Sequence, residues 1–191
     1  MGAYCTSIAD TDQIKAIITA LESGYEHKGV KHRSNYQVAT IVKLQTNLGC
    51  RIGDIVHLEV ENIVYDGEAW RLDMIEQKTG KARRYIVATP VKAMIDRWTE
   101  MKCIKSGRLF TIEEPAVWKQ LRAVTDYLGY KNISGHSFRK SASLRVYLDS
   151  GKDIALTCQY LNHSSPAVTM KYLQRSSKQM DDILSKSVVM V

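Results

Sequence analysis

A chain of 191 residues, 45% of them hydrophobic, is long enough to bury one sizeable core and is expected to form a single domain or a compact pair. No run approaches the ~20 apolar residues of a membrane span, and no basic segment followed by an apolar run marks a signal peptide. Lys and Arg number 27 against 20 Asp and Glu, and the resulting charge of +7 suits a polyanionic partner such as nucleic acid without specifying one.

In chain order, Ile14, Ile17, Ile18 and Leu21 form a helical stripe over residues 11–21, with Asp10 and Thr11 as caps, and residues 24–31 read as a loop. A second helix over 34–48 carries Val38, Ile41, Val42 and Leu48 and stops at Gly49, so that Arg51 lies just past a helix end. A short helix near 52–58 leads to two strands, in which Trp70, Leu72 and Met74 alternate with Arg71 and Asp73, and Tyr85 and Val87 with Arg84 and Ile86. Lys78, Thr79, Gly80 and Lys81 form the loop between them. Helices are expected over 90–101, 114–128 and 137–148, punctuated by Gly107, Gly129 and Gly151. Ile154, Cys158 and Leu161 mark a further helix ending near Asn162. Ser165 and Pro166 then supply an N-cap and first position for a helix carrying Val168 and Tyr172. The class is mainly α with a small antiparallel β-sheet (α+β). Cys5, Cys50, Cys103 and Cys158 are too dispersed for a disulfide framework, which points to a reducing cytoplasm and to Cys50 and Cys158 as small buried side chains.

Six residues in this order carry chemistry: Arg51, Lys78, His136, Arg139, His163 and Tyr172. The arginines offer permanently charged planar forks for phosphate oxygens. The histidines and lysine add donors or a proton, and the tyrosine hydroxyl is a candidate nucleophile, so the set can hold and attack a phosphodiester with no metal and no cofactor. Each residue also has a plainer reading. Arg51 can form an ion pair with Asp54 or Glu59. His136 can cap a helix, Arg139 and Lys78 can be solvated, and His163 can be a turn residue. Lys81, Arg83 and Arg84 compete with Lys78 for a phosphate role, and Tyr160 competes with Tyr172.

The local motifs decide between these readings. Residues 46–55 (TNLGCRIGDI), the hairpin QKTGK at 77–81, the HSFR run at 136–139, and LNHSSP at 161–166 followed by MKY at 170–172 together resemble the tyrosine recombinases, or phage integrases, from about residue 10 to 175. The resemblance implies that family's catalytic-domain fold and a DNA strand transferase. Tyr172 would attack the scissile phosphate to give a 3′-phosphotyrosyl link, and Lys78 would protonate the leaving 5′ oxygen. Arg51, Arg139, His136 and His163 would clamp the charge, with His136 also placed to take the tyrosine proton. Double-stranded DNA is the implied partner, a homotetramer on DNA the implied assembly, and neither membrane nor small-molecule substrate is involved.

Two positions depart from the family pattern: Asp54 stands where Glu is usual, and Asn162 where Gly is usual. Asn tolerates left-handed backbone angles, so that turn can survive. The N-terminal core-binding domain is absent from residues 1–175. The expectation is therefore a catalytic domain separated from a longer protein, with weak, salt-sensitive DNA binding of poor sequence discrimination. Lys and Arg in the helix over 114–128 are candidate base readers. Residues 176–191 are read as a tail that docks on a neighbouring protomer through its apolar end at 188–191. Three alternatives stand beside this reading: a type IB topoisomerase or telomere resolvase with the same tyrosine chemistry, a catalytically silent DNA-binding regulator on the same fold, and a basic helical interaction protein unrelated to DNA.

Overall fold

The apolar stripes close on one another around the second helix. A computed structural model describes residues 11–173; Cys5 and the proposed docking tail at 176–191 lie outside them. Helix α2 (Tyr36–Leu48) is central. It buries Val38, Ala39, Ile41, Val42, Leu44 and Leu48, and it packs against α1 (Thr11–Ser23) on one side and α6 (Gly135–Asp149) on another. Asn35 caps its start through Oδ1 to the Val38 N–H at 3.1 Å. Gly49 ends it in the left-handed conformation, φ 61°, its N–H donating to the Gln45 carbonyl. A side chain at Gly49 would run into the Tyr160 ring, so backbone and space both favour glycine there.

Residues 24–31 are not a loop. Strands β1 (Tyr25–His27) and β2 (Val30–His32) form a hairpin, because Tyr25 stacks on His32 at 4.5 Å and on Tyr127 at 4.6 Å, and Lys28 and Gly29 take positive φ at the turn. The hairpin is too short for alternation to reveal it. After α3 (Ile52–Val56) and a single 3₁₀ turn (Val60–Asn62), β3 (Ile63–Tyr65), β4 (Trp70–Ile75) and β5 (Ala82–Ile86) form an antiparallel sheet in that order. β3 is a third strand that the sequence reading did not separate. Leu72 opposes Tyr85 and Met74 opposes Arg83, so one sheet face presents these four side chains inward. Trp70 is in phase with them, but it begins the central strand and stays exposed, with the Lys92 ammonium 3.8 Å from its ring centre.

Helices α4 (Thr89–Lys102), α5 (Glu114–Tyr127) and α6 fall where the sequence places them, within two residues at each end. Trp98, Phe110, Val117, Leu121, Val124 and Phe138 complete the core. Helix α7 (Ile154–Leu161) is capped by Asp153, which accepts from the Ala155 and Leu156 N–H groups, and it ends on Asn162 at φ 55°. α8 (Pro166–Leu173) follows. Cys50 and Cys158 are buried as expected, and burial pushes the Cys50 thiol up. No helix among the described residues is long and apolar enough to cross a membrane.

Candidate active site

The N-terminal ends of α3 and α6, the start of α5 and the β4–β5 loop surround a cavity of about 380 Å³. Arg51, Lys78, His136 and Arg139 all line it, joined by Gln45, Asp54, Glu114 and Trp118. Local chain geometry explains the convergence. Arg51 is the N-cap residue of α3, two positions past the left-handed Gly49, so its side chain leaves the chain at a sharp reversal. His136 and Arg139 lie three apart in the first turn of α6, on neighbouring positions of one face. The first residue of that helix is Gly135, where a side chain would meet the Trp118 ring at 2.3 Å, which lets the helix start press against the cavity wall.

Arg139 is 2% exposed. Its Nη1 donates to the Gly49 carbonyl at 2.9 Å and its Nη2 to the Leu161 carbonyl at 2.7 Å, tying the ends of α2 and α7 to α6. Burial, with help from Arg83, lowers its pKa, yet a guanidinium stays charged in proteins. Arg51 Nη1 donates to Glu76 Oε2 at 2.6 Å and sits 3.9 Å from Asp54; its ion pairs are with these two carboxylates and not with Glu59. Asp54 Oδ1 accepts the Gln77 N–H at 3.0 Å, so the shorter acid at this position still reaches the lysine loop.

Glu76 was missed by the sequence reading. It is fully buried and accepts from Arg51, from Thr79 Oγ1 at 2.7 Å and from Arg83 Nη1 at 2.8 Å. Burial alone would raise its pKa, but these three donors bring it down to about 2. Arg83, a competitor for phosphate on sequence grounds, is 3% exposed. It is committed to Glu76 and to the Tyr160 carbonyl at 2.7 Å, which takes it out of that competition. Glu114 and Trp118 also escaped the sequence reading. Trp118 Nε1 donates to Glu114 Oε1 at 3.0 Å in the cavity wall; their i,i+4 spacing in α5 allows that bond, but nothing local in the sequence places this face of α5 at the cavity.

The two remaining residues sit at the rim. His163 Nδ1 lies 3.0 Å from Thr169 Oγ1, and its ring meets the Tyr172 ring edge-on, centroids 5.3 Å apart. The Tyr172 hydroxyl is 3.5 Å from the His136 carbonyl oxygen, and the Lys140 ammonium is 5.6 Å from the tyrosine ring centre. Tyr160, the rival tyrosine, is turned away toward the Asn47 carbonyl, and burial raises its pKa to about 12. Burial first, then Arg139 and Arg51, lower the His163 pKa to about 4. Burial, Arg139 and Lys78 lower that of His136. Without an anion present both imidazoles are therefore neutral at pH 7, and the cationic part of the cavity is Arg51, Lys78 and Arg139. A bound phosphodiester opposes that repulsion and favours donation from both rings. No group of three or more His, Cys, Asp or Glu side chains forms a metal-binding cluster among the described residues.

A family model, the phage integrase family, matches residues 8–179. A probable integrase/recombinase of Bacillus subtilis, YoeC, is 32% identical over 133 residues, covering 66% of this chain and 71% of its own. Among solved structures, XerA recombinase superposes with a TM-score of 0.70 at 18% identity, over 100% of this chain and 67% of its own. The catalytic domain of bacteriophage HP1 integrase gives 0.65 at 15% identity and covers 95% of both chains. A lambda integrase dimer bound to a COC′ core site gives 0.68 at 17% identity; this chain matches 91% of its length to about half (49%) of that one. At such identities the structural likenesses establish the fold.

Proposed function

The chain belongs to the phage integrase family, the tyrosine recombinases that cleave and rejoin DNA, and on that premise we propose a residue-level mechanism for strand cleavage at this cavity. The convergence of Arg51, Lys78, His136 and Arg139 on one cavity, with the Tyr172 hydroxyl 3.5 Å from the His136 carbonyl, carries the reading. The scissile phosphate enters between the two guanidinium groups. Tyr172 Oη forms a bond to phosphorus as the P–O5′ bond breaks, giving a 3′-phosphotyrosyl link and a 5′-hydroxyl.

The phenolic proton passes to the neutral imidazole of His136, and Lys78 delivers a proton to the departing 5′ oxygen. In the pentacoordinate transition state charge builds on the non-bridging oxygens, where Arg51, Arg139 and His163 hold donors already in place. Rejoining reverses the step with a 5′-hydroxyl from another strand, and the covalent link conserves the bond energy. Duplex DNA in the cytoplasm is the partner, with several copies assembled on it as in the DNA-bound lambda integrase tetramer. The net charge of +7 supports binding that weakens steeply with salt.

The test is a covalent adduct on a nicked suicide duplex, run on a denaturing gel with chelator present. The expected result is a chelator-resistant adduct lost in Tyr172→Phe. An adduct that persists in Tyr172→Phe would overturn the assigned nucleophile, and bound but uncleaved DNA would favour a silent regulator on the same fold.

A further inference from the structure

The cavity's cations rest on a buried pair that lines no part of it. Glu76 is 0% exposed and divides its two oxygens: Oε1 takes Arg83 Nη1, while Oε2 takes both Arg51 Nη1 and Thr79 Oγ1. Thr79 is the neighbour of Lys78, and the Glu76 backbone closes the same loop, its N–H donating to the Lys81 carbonyl at 2.9 Å and its carbonyl accepting from the Gly80 N–H at 2.8 Å. On the far side Arg83 Nη2 donates to the Tyr160 carbonyl at 2.7 Å and the Leu48 carbonyl at 3.3 Å, and Asn162 Nδ2 donates to the Ala82 carbonyl at 3.0 Å. Tyr160 and Asn162 lie within three residues of His163. One carboxylate thus joins the phosphate-binding Arg51 to the lysine loop, and its guanidinium partner joins that loop to the histidine turn.

Building on the mechanism above, we propose that Glu76 and Arg83 are positioning residues for strand cleavage, fixing Arg51, the Lys78 loop and the His163 turn in one geometry. A carboxylate that served only to neutralise Arg83 would have no reason to share its second oxygen between Arg51 and Thr79. Removing its charge leaves Arg51 and Arg83 facing each other across a neutral group, and Arg51, the more exposed of the two, is the one that moves. Neither residue touches substrate. The pair acts through placement, where a displacement of about 1 Å is worth about 10²-fold in rate.

The experiment compares wild type, Glu76→Gln, Arg83→Lys and Thr79→Val in single-turnover adduct formation on two suicide duplexes. One carries the natural 5′ oxygen and the other a bridging 5′ sulfur, a leaving group that needs no proton from Lys78. On the natural duplex, adduct formation should slow about 10²-fold in Glu76→Gln and about tenfold in Thr79→Val and Arg83→Lys, with DNA affinity changed less than about threefold. Sulfur should restore Thr79→Val to near the wild-type rate and Glu76→Gln only in part, because Arg51 remains misplaced. Thr79 is exposed, so that variant keeps its fold and reads the loop contact even if Glu76→Gln does not fold. Variants as fast as wild type, or losses that follow the folded fraction and ignore the leaving group, would overturn the proposal. A wild type that forms no adduct would instead overturn the mechanism on which it rests.

Discussion

The floor of the cavity and the helix that carries Tyr172 are built in opposite ways. On the floor, Arg139 is 2% exposed with both terminal nitrogens bonded to carbonyls, and Arg51 is held by a fully buried carboxylate. On α8, Thr169 is the one buried side chain among those described; Val168 and Met170 are 44% and 61% exposed, and the Tyr172 hydroxyl makes a long 3.5 Å contact. The half to which the proposed mechanism assigns charge stabilisation is organised in advance by the fold. The half to which the proposed mechanism assigns the nucleophile leaves most of its described side chains exposed or half-buried, which suits a group that must approach phosphorus, form a bond and later leave it. Electrostatic stabilisation loses most of its value if its dipoles must reorganise during the step, whereas a nucleophile requires only a correct approach.

The sharpest way to break this contrast is to compare stability and rate in one variant from each half. Arg139→Ala should slow adduct formation by about 10²–10³ and also destabilise the protein by about 3 kcal/mol, since the Gly49 and Leu161 carbonyls lose their donors in a buried site. Tyr172→Phe should abolish the adduct and leave stability within about 0.5 kcal/mol of wild type. Denaturant unfolding beside the adduct assay decides it: equal destabilisation by the two would erase the distinction. Gly49→Ala comes next. It places a side chain at φ 61° and within 2.3 Å of the Tyr160 hydroxyl, and should cost about 2 kcal/mol or more while displacing both the Arg51 and Arg139 contacts that start from this turn.

Acid separates the halves in another way. The native His163 pKa is about 4 against an ordinary 6.5, so between these values the unfolded chain binds a proton that the folded chain refuses, and stability falls as pH drops through that window. Glu76, held at about 2 from an ordinary 4.5, contributes stability that is lost only at lower pH, as pH falls from 4.5 toward 2. His136, also lowered, has the same sign as His163. In His163→Gln the decline between pH 6.5 and 4 should shrink while the more acidic one remains. Thermal melts across the range measure it, and an unchanged upper limb would show that the rim histidine is not coupled to folding.

Much of this was legible in the chain, for identifiable reasons. Helix boundaries followed from 3.6-residue apolar spacing and from Gly49, Asn162 and the Ser165–Pro166 pair, whose backbone demands are local. The six candidate residues stand out in the sequence as an ordered set, and four of them line one cavity. The buried pair was less visible, although a signal existed: Glu76 shares the two-residue phase of Leu72 and Met74, and Arg83 shares that of Tyr85 and Val87, so both were in register to face inward. Charge argues against burial at both positions, because a lone buried charge is costly and sequence gives no view of a partner across the hairpin. The packing of Gly135 on the Trp118 ring and the stacking of Tyr25 on Tyr127 depend on contacts between distant segments, which no local pattern encodes.

The smallest effect tests the tie between the two halves. Asn162 ends α7 at φ 55°, a conformation that glycine adopts with less strain, and glycine is the usual residue of the family there. Asn adds something glycine lacks: its Nδ2 donates to the Ala82 carbonyl at 3.0 Å, fastening the histidine turn to the lysine hairpin. Asn162→Gly relieves a few tenths of a kcal/mol of backbone strain, loses an exposed hydrogen bond of about 0.5–1 kcal/mol, and adds unfolded-state entropy of about 0.5–1 kcal/mol. The net should be a destabilisation of about 1 kcal/mol. If the tie also holds His163 over the cavity, adduct formation should slow several-fold in Asn162→Gly on the oxygen-leaving duplex at saturating DNA. Equal stability and equal rate would mean that Arg83 alone holds that junction, and that Asn162 is a left-handed cap with no further part in the site.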